Sequence, residues 1–184
     1  MLRELPADRG RLWISVGPGG KLPVNVWPWE RYRDTISPLI PLFDVWPVVV
    51  GGEQDRQIGE RLIAAWGRAY NAAGSLSLRA SMKAIGRCVM HLGNDTGAIH
   101  TAAAMKVRCV GVYASRNEPG LWHPYGDGHI VLRTPIECEG CRLIECRERQ
   151  SRCIRAIEVE PVVKACSRLL RERGHVPLPG GSPQ

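Results

Sequence analysis

Short apolar runs alternate with stretches of helical period along most of the chain. Leu12 to Val16 (LWISV), Val45 to Val50 (VWPVVV), Cys88 to Leu92 (CVMHL) and Val107 to Val112 each read as a buried strand, and His129 to Leu132 as one more. Between them, Pro28 to Thr35 reads as a helix, with Pro28 tolerated in its first turn. Ile58, Leu62, Ile63, Trp66 and Tyr70 fall on one face at helical spacing. Ser77 to Ile85 reads as a shorter helix, and an alanine-rich helix follows Gly93-Asn94-Asp95 and runs to Met105. Val159, Val162, Val163, Cys166, Leu169 and Leu170 form the apolar stripe of a closing helix. Strands alternating with helices predict an α/β fold: a parallel sheet with helices on both faces. Residues 1–10 read as a polar lead-in and 11–173 as one domain. From Gly174 to Gln184, three prolines and three glycines read as a flexible tail.

In such sheets, ligands bind beyond the carboxyl ends of the strands. Three segments share that rim. Gly93-Asn-Asp-Thr-Gly-Ala-Ile-His100 joins a strand to a helix. Asn94 or Asp95 is the expected cap, and the free amides and positive dipole end at Thr96 and Gly97 suit an anion. His100, one turn further in, is placed to donate to a phosphate. Gly17-Pro-Gly-Gly-Lys21 is a glycine-rich strand exit bearing a cation, but Leu22 follows the lysine, so it is no Walker loop. Gly51-Gly-Glu-Gln-Asp55 also leaves a strand, and Glu53 or Asp55 could accept from a ribose. Each segment has a plain structural reading as well: a capped core helix with a packed histidine, a common glycine turn, and carboxylates in a first helical turn. Together they describe a nucleoside-diphosphate site.

The chain of 184 residues carries 25 Lys plus Arg against 18 Asp plus Glu, and the net charge of +7 suits anionic partners. No apolar run approaches the roughly 20 residues of a membrane span, and no apolar signal core follows Met1. Seven cysteines without a secretion signal argue for reduced thiols and a cytoplasmic place, at most peripheral on the inner membrane face. Cys138, Cys141, Cys146 and Cys153 lie in a loop over 137–153 at spacings that would allow a structural zinc. Free thiols or a redox pair are the other readings. Cys88, Cys109 and Cys166 fall on core positions. Trp13, Trp46 and Trp66 read as core, and Trp27 and Trp29 as packing beside the glycine-rich loop.

The string Leu92-Gly-Asn-Asp-Thr-Gly-Ala-Ile-His-Thr-Ala-Ala-Ala104 resembles the signature of glycosyltransferase family 9, the heptosyltransferase-like enzymes: Asp, Ser or Thr, Gly, two variable residues, His, then small residues. Gly20-Lys21 with Trp27-Pro28, Val50-Gly-Gly-Glu-Gln-Asp55, Trp122-His-Pro-Tyr-Gly126 and the cysteine segment from Cys138 to Cys153 follow the family in order and spacing. The resemblance covers roughly residues 11–172. It implies the Rossmann-like carboxyl half of a GT-B enzyme, the half that binds a nucleotide-sugar donor such as ADP-heptose.

The same resemblance assigns roles. Asp95, Thr96, Gly97 and His100 surround the diphosphate and the nearby sugar. Gly20 and Lys21 belong to the phosphate loop, with Lys21 and His100 stabilising the leaving group. Asn25 stands where relatives often carry a second basic residue. Asp55, with Glu53 as its rival, holds the ribose, and the backbone at Leu76 lies near the base. No metal of the Asp-x-Asp kind is implied. The base that activates a glycan or glycolipid acceptor belongs to the amino half, so transfer is expected to need a separately supplied acceptor domain. Two other readings stand beside this one. The first is a stand-alone nucleotide-binding or regulatory module. The second is a zinc-bearing nucleic-acid binder, which the spread of basic residues disfavours.

Overall fold

The computed structural model describes residues 11–178, so the lead-in and the last part of the tail lie outside it. The described strands form one parallel sheet in the order β3-β2-β1-β4-β5-β6. They are β1 (Leu12–Gly17), β2 (Val45–Val49), β3 (Tyr70–Asn71), β4 (Met90–Asn94), β5 (Cys109–Val112) and β6 (Ile130–Leu132). The helices are α1 (Trp29–Ile36), α2 (Leu39–Phe43), α3 (Arg56–Trp66), α4 (Leu78–Ile85), α5 (Gly97–Ala104), α6 (Arg152–Arg155) and α7 (Val159–Glu172).

Strand alternation divides the core in two. Ile14 and Val16 of β1 join Val45, Val49, Leu92 and Val112 beneath α1, α2, α3 and α7. Trp13 points to the other face, where Val48, Ile85, Ile99 and Cys109 pack under α4 and α5. Strands buried on both faces explain the nearly continuous apolar runs. The chain builds outward from β1 to β2 and β3, then returns to lay β4 on the other edge of β1. The loops leaving β1 and β4 therefore diverge. A crevice opens above Gly17 and Gly93, which lie in register.

Several boundaries differ from the expectation. Tyr70 is not on the helix: α3 stops at Trp66 because Gly67 turns left-handed at φ 68°, and Tyr70 starts β3. β4 runs two residues later than expected, with Cys88 buried in the preceding turn. Helix α2, which follows Pro38 and contains Pro41, falls on residues to which the sequence pattern assigns no element. Trp13 and Trp66 are buried as expected, and Trp27 is fully buried, donating Nε1–H to the Ile157 carbonyl at 3.0 Å. Within the tail, the Leu178 N–H donates to the Leu42 carbonyl at 2.7 Å. No described helix is long and apolar enough to cross a membrane.

Candidate functional site

The crevice at the switch point measures about 540 Å³, within the range of small-molecule sites. Three walls form it. Gly19, Gly20 and Lys21 come from the turn after β1, Gly51, Gly52, Gln54 and Asp55 from the turn after β2, and Asp95 to Ala98 from the tip of α5. Leu78, Ser81 and Ile85 of α4 close the far end.

Asn94 builds this wall and was not singled out by the sequence except as a cap. It is fully buried. Its Nδ2 donates to the Pro18 and Gly19 carbonyls, each at 3.1 Å. Its Oδ1 accepts from the Trp27 N–H at 3.2 Å and the Tyr32 hydroxyl at 2.7 Å. One side chain at the end of β4 thus ties the glycine-rich turn to the start of α1. The expected cap is accordingly corrected: Thr96 occupies the N-cap of α5 with extended backbone, and no side chain caps the helix. The first amides of α5 face the crevice without a side-chain acceptor.

Asp55 is buried and locks the other two turns together. Its carboxylate accepts from the Gly52 N–H at 2.9 Å and from the Gly20 N–H. Burial raises its pKa, and the two amides act in the opposite sense. A Cβ on Gly19 would lie 1.7 Å from Asp55 Oδ1, so glycine is required there by close approach. Gly20 in turn abuts the helix tip: a Cβ on it would sit 3.1 Å from Thr96 Cγ2. The lysine-bearing turn and the tip of α5 therefore share one crevice, with the exposed Lys21 on its rim.

Asp95 bridges the crevice and the β5 side. The Asn25 Nδ2 donates to its Oδ2 at 3.3 Å and to its carbonyl at 3.4 Å. Its Oδ1 lies 3.6 Å from His100 Nε2. Asn25 thus orients Asp95 and does not itself line the crevice. Glu53 points away beside Gly74, leaving Asp55 as the crevice carboxylate of that pair. Leu76 packs at the edge of the second core, and Leu78 and Ser81 line the crevice in its neighbourhood. Their signal in the sequence is Ser77, which starts α4 just before Leu78 by accepting from the Ala80 N–H at 3.3 Å.

Cys138, Cys141, Cys146 and Cys153 do converge, around a small apolar hollow with Val24 and Ile136. Among the described residues, no three His, Cys, Asp or Glu side chains stand as a metal-holding group. Burial raises the Cys153 thiol, the more so with Cys138 and Cys141 nearby. Four arginines of this loop are paired: Arg142 with Glu118 at 2.7 Å, Arg147 with Glu145 at 3.0 Å, and Arg149 and Arg152 with Glu137 at 2.8 and 3.7 Å.

The family model of glycosyltransferase family 9 (heptosyltransferase) matches residues 4–151. The chain belongs to that family. Its fold is that of the solved family members. It is similar to the Escherichia coli ADP-heptose LPS heptosyltransferase II, with TM-score 0.75 and 22% identity over 91% of this chain and 49% of the other. A family 9 glycosyltransferase from Veillonella parvula gives 0.76 and 26% over 88% and 46%. The E. coli heptosyltransferase WaaC, solved with ADP, gives 0.70 and 19% over 90% and 46%. The chain thus spans about half the length of these structures. No curated protein matches it.

Proposed function

We propose that this family 9 domain binds the nucleotide-sugar donor of a glycosyl transfer, an ADP-heptose-like molecule, in the crevice between β1 and β4. One observation carries the reading: the uncapped tip of α5 and the Lys21 turn face the same cavity. Amide dipoles and an ammonium at that point suit a diphosphate. The apolar end at Leu78 and Ile85 suits a base. Asp55, although committed to two backbone amides, retains a lone-pair direction for a ribose hydroxyl.

The chemistry follows from where charge develops. As the glycosidic C–O bond breaks, the sugar carbon becomes oxocarbenium-like and negative charge grows on the departing diphosphate. Fixed N–H groups and Lys21 stabilise that charge without reorganising, whereas the ring of His100 lies off the crevice lining, beside Asp95 and Trp122. The acceptor hydroxyl needs a base. Asp95 is held between Asn25 and His100, so we assign the base to an acceptor-binding half outside these residues. The acceptor is a glycan or glycolipid. No divalent cation is required in this scheme.

Calorimetry with ADP, GDP and UDP tests the reading. At least one should bind, and Lys21→Ala should weaken it about tenfold with an unchanged melting temperature, because Lys21 is exposed. A folded chain that binds none of the three contradicts it.

A further inference from the structure

The exposed loop between β5 and β6 holds an aromatic arrangement that the donor pocket does not use. Tyr113 is buried, and its hydroxyl donates to the Trp122 carbonyl at 3.0 Å. Its ring meets His123 at 5.4 Å, edge to face. These contacts hold Trp122 at φ 63°, a left-handed backbone that costs a bulky residue about 1–2 kcal/mol. Yet the tryptophan is 59% exposed, so core burial does not offset the strain. A fixed backbone presents a large aromatic surface to the outside.

Its position gives that surface a use. On α5, Ala98 and Thr101 line the crevice. His100 is turned about 100° from Thr101 around the helix and so faces the β5 side. There its ring meets Trp122, with centroids 6.4 Å apart at 70°, and its Nε2 meets Asp95. The groups therefore run in sequence: apolar base end at Leu78, diphosphate end at Lys21 and Thr96, then Asp95, His100 and Trp122. A nucleoside diphosphate laid along the crevice directs whatever its β-phosphate bears toward the last three.

We propose that Trp122 is the stacking platform for the sugar ring of the donor, with Asp95 and His100 meeting its hydroxyls from the side. The electron-rich face of an indole attracts the weakly positive C–H face of a pyranose, while the ring hydroxyls stay in the plane where polar groups reach them. The inference rests on the nucleotide reading and adds a specificity-determining residue to it: Trp122 distinguishes ADP-sugar from ADP.

The test is calorimetry of the full chain with ADP and with ADP-heptose, comparing wild type, Trp122→Gly and Trp122→Phe. Glycine accepts the left-handed backbone, so its melting temperature should not fall, while the ring is removed. Wild type should bind ADP-heptose more tightly than ADP. Trp122→Gly should lose that preference by about fivefold or more while keeping its ADP affinity, and Trp122→Phe should retain most of it. If wild type binds ADP but shows no preference for ADP-heptose, or if Trp122→Gly keeps the preference, the platform is overturned and the nucleotide reading survives. Equal loss of both ligands in Trp122→Gly also overturns it. A wild-type chain that binds neither overturns the nucleotide reading and the platform with it.

Discussion

At the scale of single residues, Asn94 holds the site together. All four of its hydrogen bonds lie in a fully buried setting, where a lost partner leaves groups unsatisfied. Asn94→Leu should cost about 3 kcal/mol of stability in urea unfolding, and it should release the glycine-rich turn. Gly19→Ala acts on the same turn from the other side, forcing the Asp55 carboxylate out of its place. Nucleotide binding should be lost, with a destabilisation of about 1–3 kcal/mol from overpacking. His91 gives a pH signature. It is fully buried on β4, with Nδ1 2.9 Å from Ser15 Oγ, and burial lowers its pKa from 6.5 to about 3. The unfolded chain takes up that proton as pH falls through 6.5, whereas the fold resists it. Stability therefore falls between pH 6.5 and 3, by up to about 1.4 kcal/mol per unit. His91→Leu should flatten that slope above the carboxylate range, apart from the share of the half-buried His123, whose pKa burial also lowers. At lower pH Glu118, Glu160 and Glu172, whose pKa values are lowered by hydrogen bonds from the backbone (at Glu118) and from basic partners, add their own slope. An unchanged slope would show that His91 is hydrated in the fold. The signature residues Asp95, Thr96 and Gly97 were legible in the sequence because strand exits and helix starts carry local cues. Asn94 was legible only as a cap. Its partners lie 62 to 76 residues away, and no local pattern encodes them.

At the scale of elements, periodicity located the long helices and the central strands well. Errors gathered where length or backbone sign decides. β3 has two residues, too short for a period to register, and α2 is five residues long with Pro38 at its start and Pro41 inside it. Helix α5 has a weak stripe because both of its sides are occupied: Ile99 and Ala102 are buried in the core, and Ala98 and Thr101 face the crevice. The end of α5 offers a stability test. Lys106 follows the helix at φ 59° and is exposed. Lys106→Gly should therefore raise stability by about 0.5–1 kcal/mol, read as an increase in melting temperature without change in ligand affinity. A decrease would mean that the lysine side chain contributes more than its backbone strain costs.

At the scale of the whole molecule, the order 3-2-1-4-5-6 fixes where a ligand goes before any side chain is considered. The sequence revealed the alternation that implies a parallel sheet. The strand order came only with the fold, since nothing local states which edge β4 joins. The chain spans about half the length of these solved family members, and the proposed division of labour has a consequence. Incubated with labelled donor and a glycolipid acceptor, these 184 residues should bind donor and transfer no label. Transfer by the isolated chain would place the base within it, with Asp95 as the first residue to substitute.

The most direct measurement is a crystal structure of the chain grown with ADP. The diphosphate should lie within hydrogen-bond reach of the Gly97 and Ala98 amides, with Lys21 beside it and the base against Leu78 and Ser81. ADP bound elsewhere, or lying with its phosphates turned away from the start of α5, would contradict it.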